Sequence, residues 1–110
     1  MKLILLLILF TSIASTADVT LAWDANTEPD LASYSVYEKS SVTGLWFFVG
    51  SVPVPLEGLP APIFILRNFS AQITRTFAVT AINTAGLESG LSNELALRTP
   101  GNPKNLRVVK

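Results

Sequence analysis

The stretch TRTFAVTAIN, residues 74–83, alternates apolar and polar side chains with a period of two. That pattern places Phe77, Val79 and Ala81 on one face of an extended segment and Thr76, Ala78 and Thr80 on the other. The same alternation recurs along the chain and is interrupted at short intervals by clusters of Gly, Pro, Asn and Ser. A helix would need apolar residues three and four apart, and the sequence offers no convincing run of that kind. The chain is therefore restricted to short antiparallel strands joined by turns.

Six strands are predicted. DVTLAW aligns Val19, Leu21 and Trp23, and DANTEPD then turns the chain. LASYSVYEKS puts Tyr34 and Val36 on a common face, SVTG turns, and LWFFVGSV follows as a strand with two apolar sides. PVPLEGLPAP carries Pro53, Pro55, Pro60 and Pro62, and proline lacks the donor a sheet interior needs, so this stretch is expected to cross the surface. IFILRNF, TRTFAVTAIN and LSNELALRT complete the set, and PGNP separates a tail. Such spacing predicts an all-β antiparallel sandwich.

The beginning of the chain reads differently. Lys2 precedes an unbroken apolar run from Leu3 to Phe10, and TSIASTA then supplies Ser15 and Ala17 as small residues for a signal peptidase. Residues 1–17 are expected to be a secretory signal peptide cut between Ala17 and Asp18. The apolar segment falls short of the roughly 20 residues that span a bilayer, so no stable membrane insertion is expected after cleavage. The expected compartment is extracellular or periplasmic, on a cell or virion surface. Removing residues 1–17 of 110 leaves 93, with seven basic residues against eight acidic ones. A near-neutral chain without a Lys/Arg cluster gives no footprint for nucleic acid.

Chemistry has few residues to work with. The chain contains no His and no Cys, which removes Ser–His and Cys–His nucleophile systems, disulfides and the usual zinc sites. No catalytic residue, cofactor or metal site is expected. Asp24, Asn26, Glu28 and Asp30 are spaced two apart like calcium ligands, but Pro29 and Ser35 occupy the places where an EF-hand loop needs Gly and Glu. Asn68-Phe69-Ser70 is a formal glycosylation acceptor. The leading contact candidates are Trp46, Phe47, Phe48 and Val49. Alternation sends Trp46 and Phe48 one way and Phe47 and Val49 the other, so one pair is expected to face away from the core unless the proline-rich segment folds over it.

VTLAWDANTEPDLASYSVY resembles the B strand, BC loop and C strand of a fibronectin type III domain, with Trp23 and Tyr34 as its core tryptophan and C-strand tyrosine. FAVTAINTAGLESGLSNEL resembles that family's F strand, FG loop and G strand, including Ala81, Asn83, Gly86 and Ser92. The resemblance covers roughly residues 19–99 and implies an immunoglobulin-like sandwich over 18–99 with Trp23, Tyr34, Phe77, Val79 and Ala81 in its core. Two departures stand out. FSAQITR places Phe69 where the family has a leucine, and Arg75 where it has a corner tyrosine. That corner should be looser or built differently, with Arg75 donating to backbone carbonyls or reaching solvent. The second departure is that a cut after Ala17 leaves no N-terminal strand A.

The tail, residues 100–110, resembles such a strand A through Leu106, Val108 and Val109. Three readings stay open: a frayed end or remnant of a longer ancestor, a strand folded back onto its own domain, or a strand donated head to tail to another copy. Three functions follow from the whole. One is a non-catalytic exported interaction module that binds a protein or surface polymer, such as polysaccharide, through its loops and aromatic edge. Another is an assembly subunit that associates through its tail. The third is a carbohydrate-binding accessory domain.

Overall fold

The computed structural model describes residues 17–54, 61–70 and 72–109. Those residues form six strands and no helix: β1 Ala17–Ala22, β2 Leu31–Lys39, β3 Trp46–Pro53, β4 Ile63–Phe69, β5 Arg75–Asn83 and β6 Leu95–Leu97. They make two antiparallel sheets, one of order β1-β4 and one of order β3-β2-β5-β6. The chain is an all-β sandwich, as the alternation predicts. The expected leader lies outside the described residues except for Ala17, and Pro55 and Pro60 of the proline-rich segment lie outside them too. No helix among the described residues is long and apolar enough to cross a membrane.

The core sits between the sheets. Leu21 from β1, Leu66 and Phe69 from β4, Val36 from β2 and Phe77 from β5 form one buried cluster. Tyr34 and Phe77 are each 1 % exposed. Large apolar side chains on inward-facing positions of both sheets supply the burial that a chain without disulfides depends on. The sheets come very close at Gly50 of β3, where an added Cβ would lie 2.7 Å from the ring of Phe64 in β4.

Two irregularities position the side chains. Val36 pairs with Gly50 but Tyr37 pairs with Phe48, so Val49 is an extra residue in β3, a bulge that increases local twist. On β4 the register shifts where Ala17 pairs with Phe69 and Val19 with Leu66. Asn68 takes a left-handed φ of 50° there. Its N–H donates to Asp18 Oδ1 at 3.0 Å, and Arg67 donates to Asp18 Oδ2 at 2.9 Å. These bonds, that from the Asn68 N–H first, hold the Asp18 carboxyl below its ordinary range.

The final strand is shorter than LSNELALRT predicts. Only Leu95–Leu97 pairs as regular β-sheet with β5. Upstream, serine side chains take over the ladder. Ser92 donates its N–H to the Val79 carbonyl at 2.8 Å, and its Oγ accepts from the Val79 N–H at 2.9 Å. Ser89 makes the same two bonds with Ala81. Each hydroxyl stands where a backbone carbonyl would, so β5 stays satisfied along an irregular partner.

Candidate functional site

β3 is an edge strand of the four-stranded sheet. Lys39 pairs with Trp46 and Tyr37 with Phe48. These four side chains share the outer face, opposite Val36 and the core. Phe48 is 57 % exposed, and its ring meets that of Tyr37 edge-on at 6.1 Å with planes 77° apart. The Lys39 ammonium lies 5.1 Å from the Trp46 ring centroid, a cation–π contact, and also pairs with Glu94 at 3.2 Å. The Tyr37 hydroxyl donates to Glu88 Oε2 at 2.5 Å, and Thr80 Oγ1 donates to the same oxygen at 2.6 Å. The result is a small aromatic patch bounded by a lysine and two carboxylates.

The electrostatics of that border follow from its hydrogen bonds. Donation from Thr80 and then from Tyr37 holds the Glu88 carboxyl below its ordinary value. The carboxylate in turn raises the Tyr37 phenol above its own, first because the hydrogen bond it accepts holds the proton in place, and then because burial and the neighbouring charge disfavour a second anion.

Trp46 and Phe48 thus point outward together, as alternation predicts. Phe47 and Val49 go the other way, but with different outcomes. Val49 packs against the core cluster. Phe47 stays 47 % exposed at the open end of the sandwich, in a recess of about 460 Å³ that it shares with Glu38, Ile73 and Arg75. The outward aromatic patch therefore draws on Trp46 and Phe48 from the predicted run, and adds Tyr37 and Lys39 from the neighbouring strand.

The core signature also divides. Tyr34 and Phe77 are fully buried, whereas Trp23 and Val79 are partly buried and packed against the central cluster. Trp23 meets Tyr34 edge-on at 5.3 Å, and the Tyr34 hydroxyl accepts the N–H of Asn26 at 2.9 Å. Among the described residues Trp23 Nε1 is buried without a hydrogen-bond partner. Ala78 and Thr80, on the opposite face of β5, are buried as well. Thr80 reaches that state because the chain between β5 and β6 brings Glu88 onto the outer face.

Arg75 adopts neither of the arrangements expected for it. Its Nε and Nη2 donate to the two carboxylate oxygens of Glu38, each at 2.8 Å. Its guanidinium lies 5.0 Å from the Phe69 ring centroid and 5.4 Å from that of Phe77. A charged side chain at this corner has found a carboxylate on the adjoining strand, which is a stronger acceptor than a neutral carbonyl.

At one pole, a cleft of about 260 Å³ opens between the turn after β1 and the turn after β5, with Asn26, Glu28, Asp30, Leu87 and Glu88 in its walls. Asn83 caps the second turn by accepting the N–H groups of Ala85 and Leu87, and Gly86 takes the positive φ of 83° that the turn requires. No group of three or more His, Cys, Asp or Glu among the described residues is placed to hold a metal ion.

No protein-family model matches the chain, and no curated protein matches it significantly.

Proposed function

We propose that this chain is an exported, non-catalytic interaction module of fibronectin type III-like build, which grips a protein partner through the outer aromatic patch of β3 and β2. The strand order supports the family resemblance. In an immunoglobulin-type sandwich strand B pairs with E, and C′, C, F and G follow one another across the second sheet. The orders β1-β4 and β3-β2-β5-β6 fall into that scheme, and strand A has no counterpart among the described residues.

The observation that carries the functional reading is the exposure of Phe48 beside Trp46 and Tyr37 within a charged border. Interfaces favour this composition, with aromatic anchors at the centre and polar groups around them. The rings also discriminate between partners. A sugar platform stacks its ligand on rings lying flat in a row, whereas Tyr37 and Phe48 stand nearly perpendicular. A protein side chain packed into the angle of the two rings fits better than a polysaccharide chain laid across them.

The test uses fluorescently labelled protein on intact cells of the producing organism, before and after protease treatment of their surface, and on cellulose and chitin. Cell binding that is lost after protease treatment and falls at least tenfold in Trp46→Ala/Phe48→Ala is expected. Undiminished binding by that variant would remove the patch from the proposal. Retention on the polysaccharides alone would transfer it to the carbohydrate reading.

A further inference from the structure

Among the described residues the two sheets are open along one side. β1 and β6 are edge strands of different sheets, and they flank a seam with an apolar floor. At one end a cavity of about 280 Å³ is lined by Ala17, Val19, Phe69 and Leu97. Further along, a second of about 200 Å³ is lined by Leu21, Trp23, Phe77, Val79 and Leu95. Among the described residues no strand pairs with the outer edge of β1, nor with that of β6. Unpaired backbone groups over an apolar floor are what an added β-strand satisfies and covers. A cut after Ala17 would open the first cavity further.

We propose that this seam receives residues 103–110 of a second copy of the chain as an added strand. This inference goes beyond the contact-patch reading and does not depend on it. The first argument is the tail itself. Residues 101–109 are exposed throughout, with Leu106 100 % and Val108 82 % exposed. Leu106 and Val108 are two apart, so an extended tail turns both toward the floor and leaves Arg107 outward. Asn105 has a left-handed φ of 59°, a conformation asparagine enters and leaves more readily than most residues.

The second argument is charge. Lys104, Arg107 and Lys110 give the tail three positive charges and no negative one. Residues 18–99 carry four basic residues against eight acidic ones. A cationic strand therefore approaches an anionic body, which favours encounter at low salt.

The third argument is reach. Leu97 lies at the Ala17 end of the seam, whereas a strand pairing antiparallel with β1 must enter at the Trp23 end. Residues 98–104 extend at most about 25 Å. Returning along a six- or seven-residue strand takes about 20–23 Å of that. Pro100-Gly101-Asn102-Pro103 would have to be pulled nearly straight against its turn-forming preference. The tail of a second copy is under no such tension. Donation of this kind is head to tail, so it builds open chains or rings.

The test compares the exported full chain, a chain ending at Thr99, and Leu106→Asp/Val108→Asp by light scattering over a concentration series. The full chain is expected to reach at least roughly twice the monomer mass and to dissociate as salt rises. Both variants should stay monomeric while melting cooperatively. A synthetic peptide of residues 101–110 added to the shortened chain, in a Trp46→Phe background, should change the fluorescence of Trp23, and the double-Asp peptide should not. A full chain that is monomeric throughout overturns the proposal. So does a shortened chain that assembles equally well, or a double-Asp peptide that binds like the native one. Trp46→Ala/Phe48→Ala should assemble normally, so failure of the contact patch leaves this result intact.

Discussion

Arg75 and Glu38 face each other through two parallel hydrogen bonds of 2.8 Å, with the guanidinium resting against the rings of Phe69 and Phe77. The Glu38 side chain is 13 % exposed, so its carboxylate has little water to replace the two hydrogen bonds that Arg75 supplies. Arg75→Ala or Glu38→Ala should each destabilise the domain by about 2 kcal/mol, since either leaves a half-buried partner unsatisfied. A double-mutant cycle in urea should give a coupling of about 1 kcal/mol or more. Additive losses would mean the pair is only a neighbourhood of charges. Arg75→Lys should recover part of the loss, because an ammonium cannot make the two-point contact.

Gly50 and Phe64 hold the sheets at their closest approach. Gly50→Ala should cost about 1–3 kcal/mol, because the new methyl must displace a ring packed against the core. Phe64→Leu in the same chain should recover part of that loss by removing the atoms that clash. If denaturant midpoints show Gly50→Ala to be neutral, the ring moves aside freely and the two layers are less tightly fitted.

The serine clips predict a local effect rather than a global one. Ser89→Ala should speed hydrogen exchange at the Ala81 amide, and Ser92→Ala at the Val79 amide, with each variant losing about 1 kcal/mol. Uniform acceleration across β5 in both variants would mean that the hydroxyls support the strand collectively.

Stability should fall at both ends of the pH range. Glu88 and Asp18 titrate below their ordinary values of 4.5 and 3.8 in the folded chain. Their contribution is therefore present above those values and is lost as pH falls through the lower folded ones. Tyr37 titrates above its ordinary 10.0, so its contribution is complete below that value and declines as pH rises through the folded one. Glu88→Gln should flatten both limbs in melting temperatures measured from about pH 3 to about pH 11. Limbs of unchanged slope would show that Glu88 sets neither.

Alternation made five of the six strands legible in sequence almost to their ends, because a half-buried strand must repeat every two residues. It also placed Trp46 and Phe48 on one face. What it could not show were partners distant along the chain. Tyr37 and Lys39 fall on the face opposite Tyr34 and Val36 by simple counting, yet Glu88 and Glu94 reach them only through the path of the chain between β5 and β6. Arg75 posed the same difficulty: its acceptor sits 37 residues earlier, on a strand whose register no local pattern encodes. The last strand was overestimated because Ser92, inside LSNELALRT, looks like a strand residue in sequence while bonding through its hydroxyl.

The order β3-β2-β5-β6 puts the aromatic patch and the open seam at opposite margins of one sheet. Filling one margin leaves the other uncovered. A row of copies joined through their tails would therefore present one set of rings per copy at a regular spacing, and individually weak grips would combine into firm attachment through avidity.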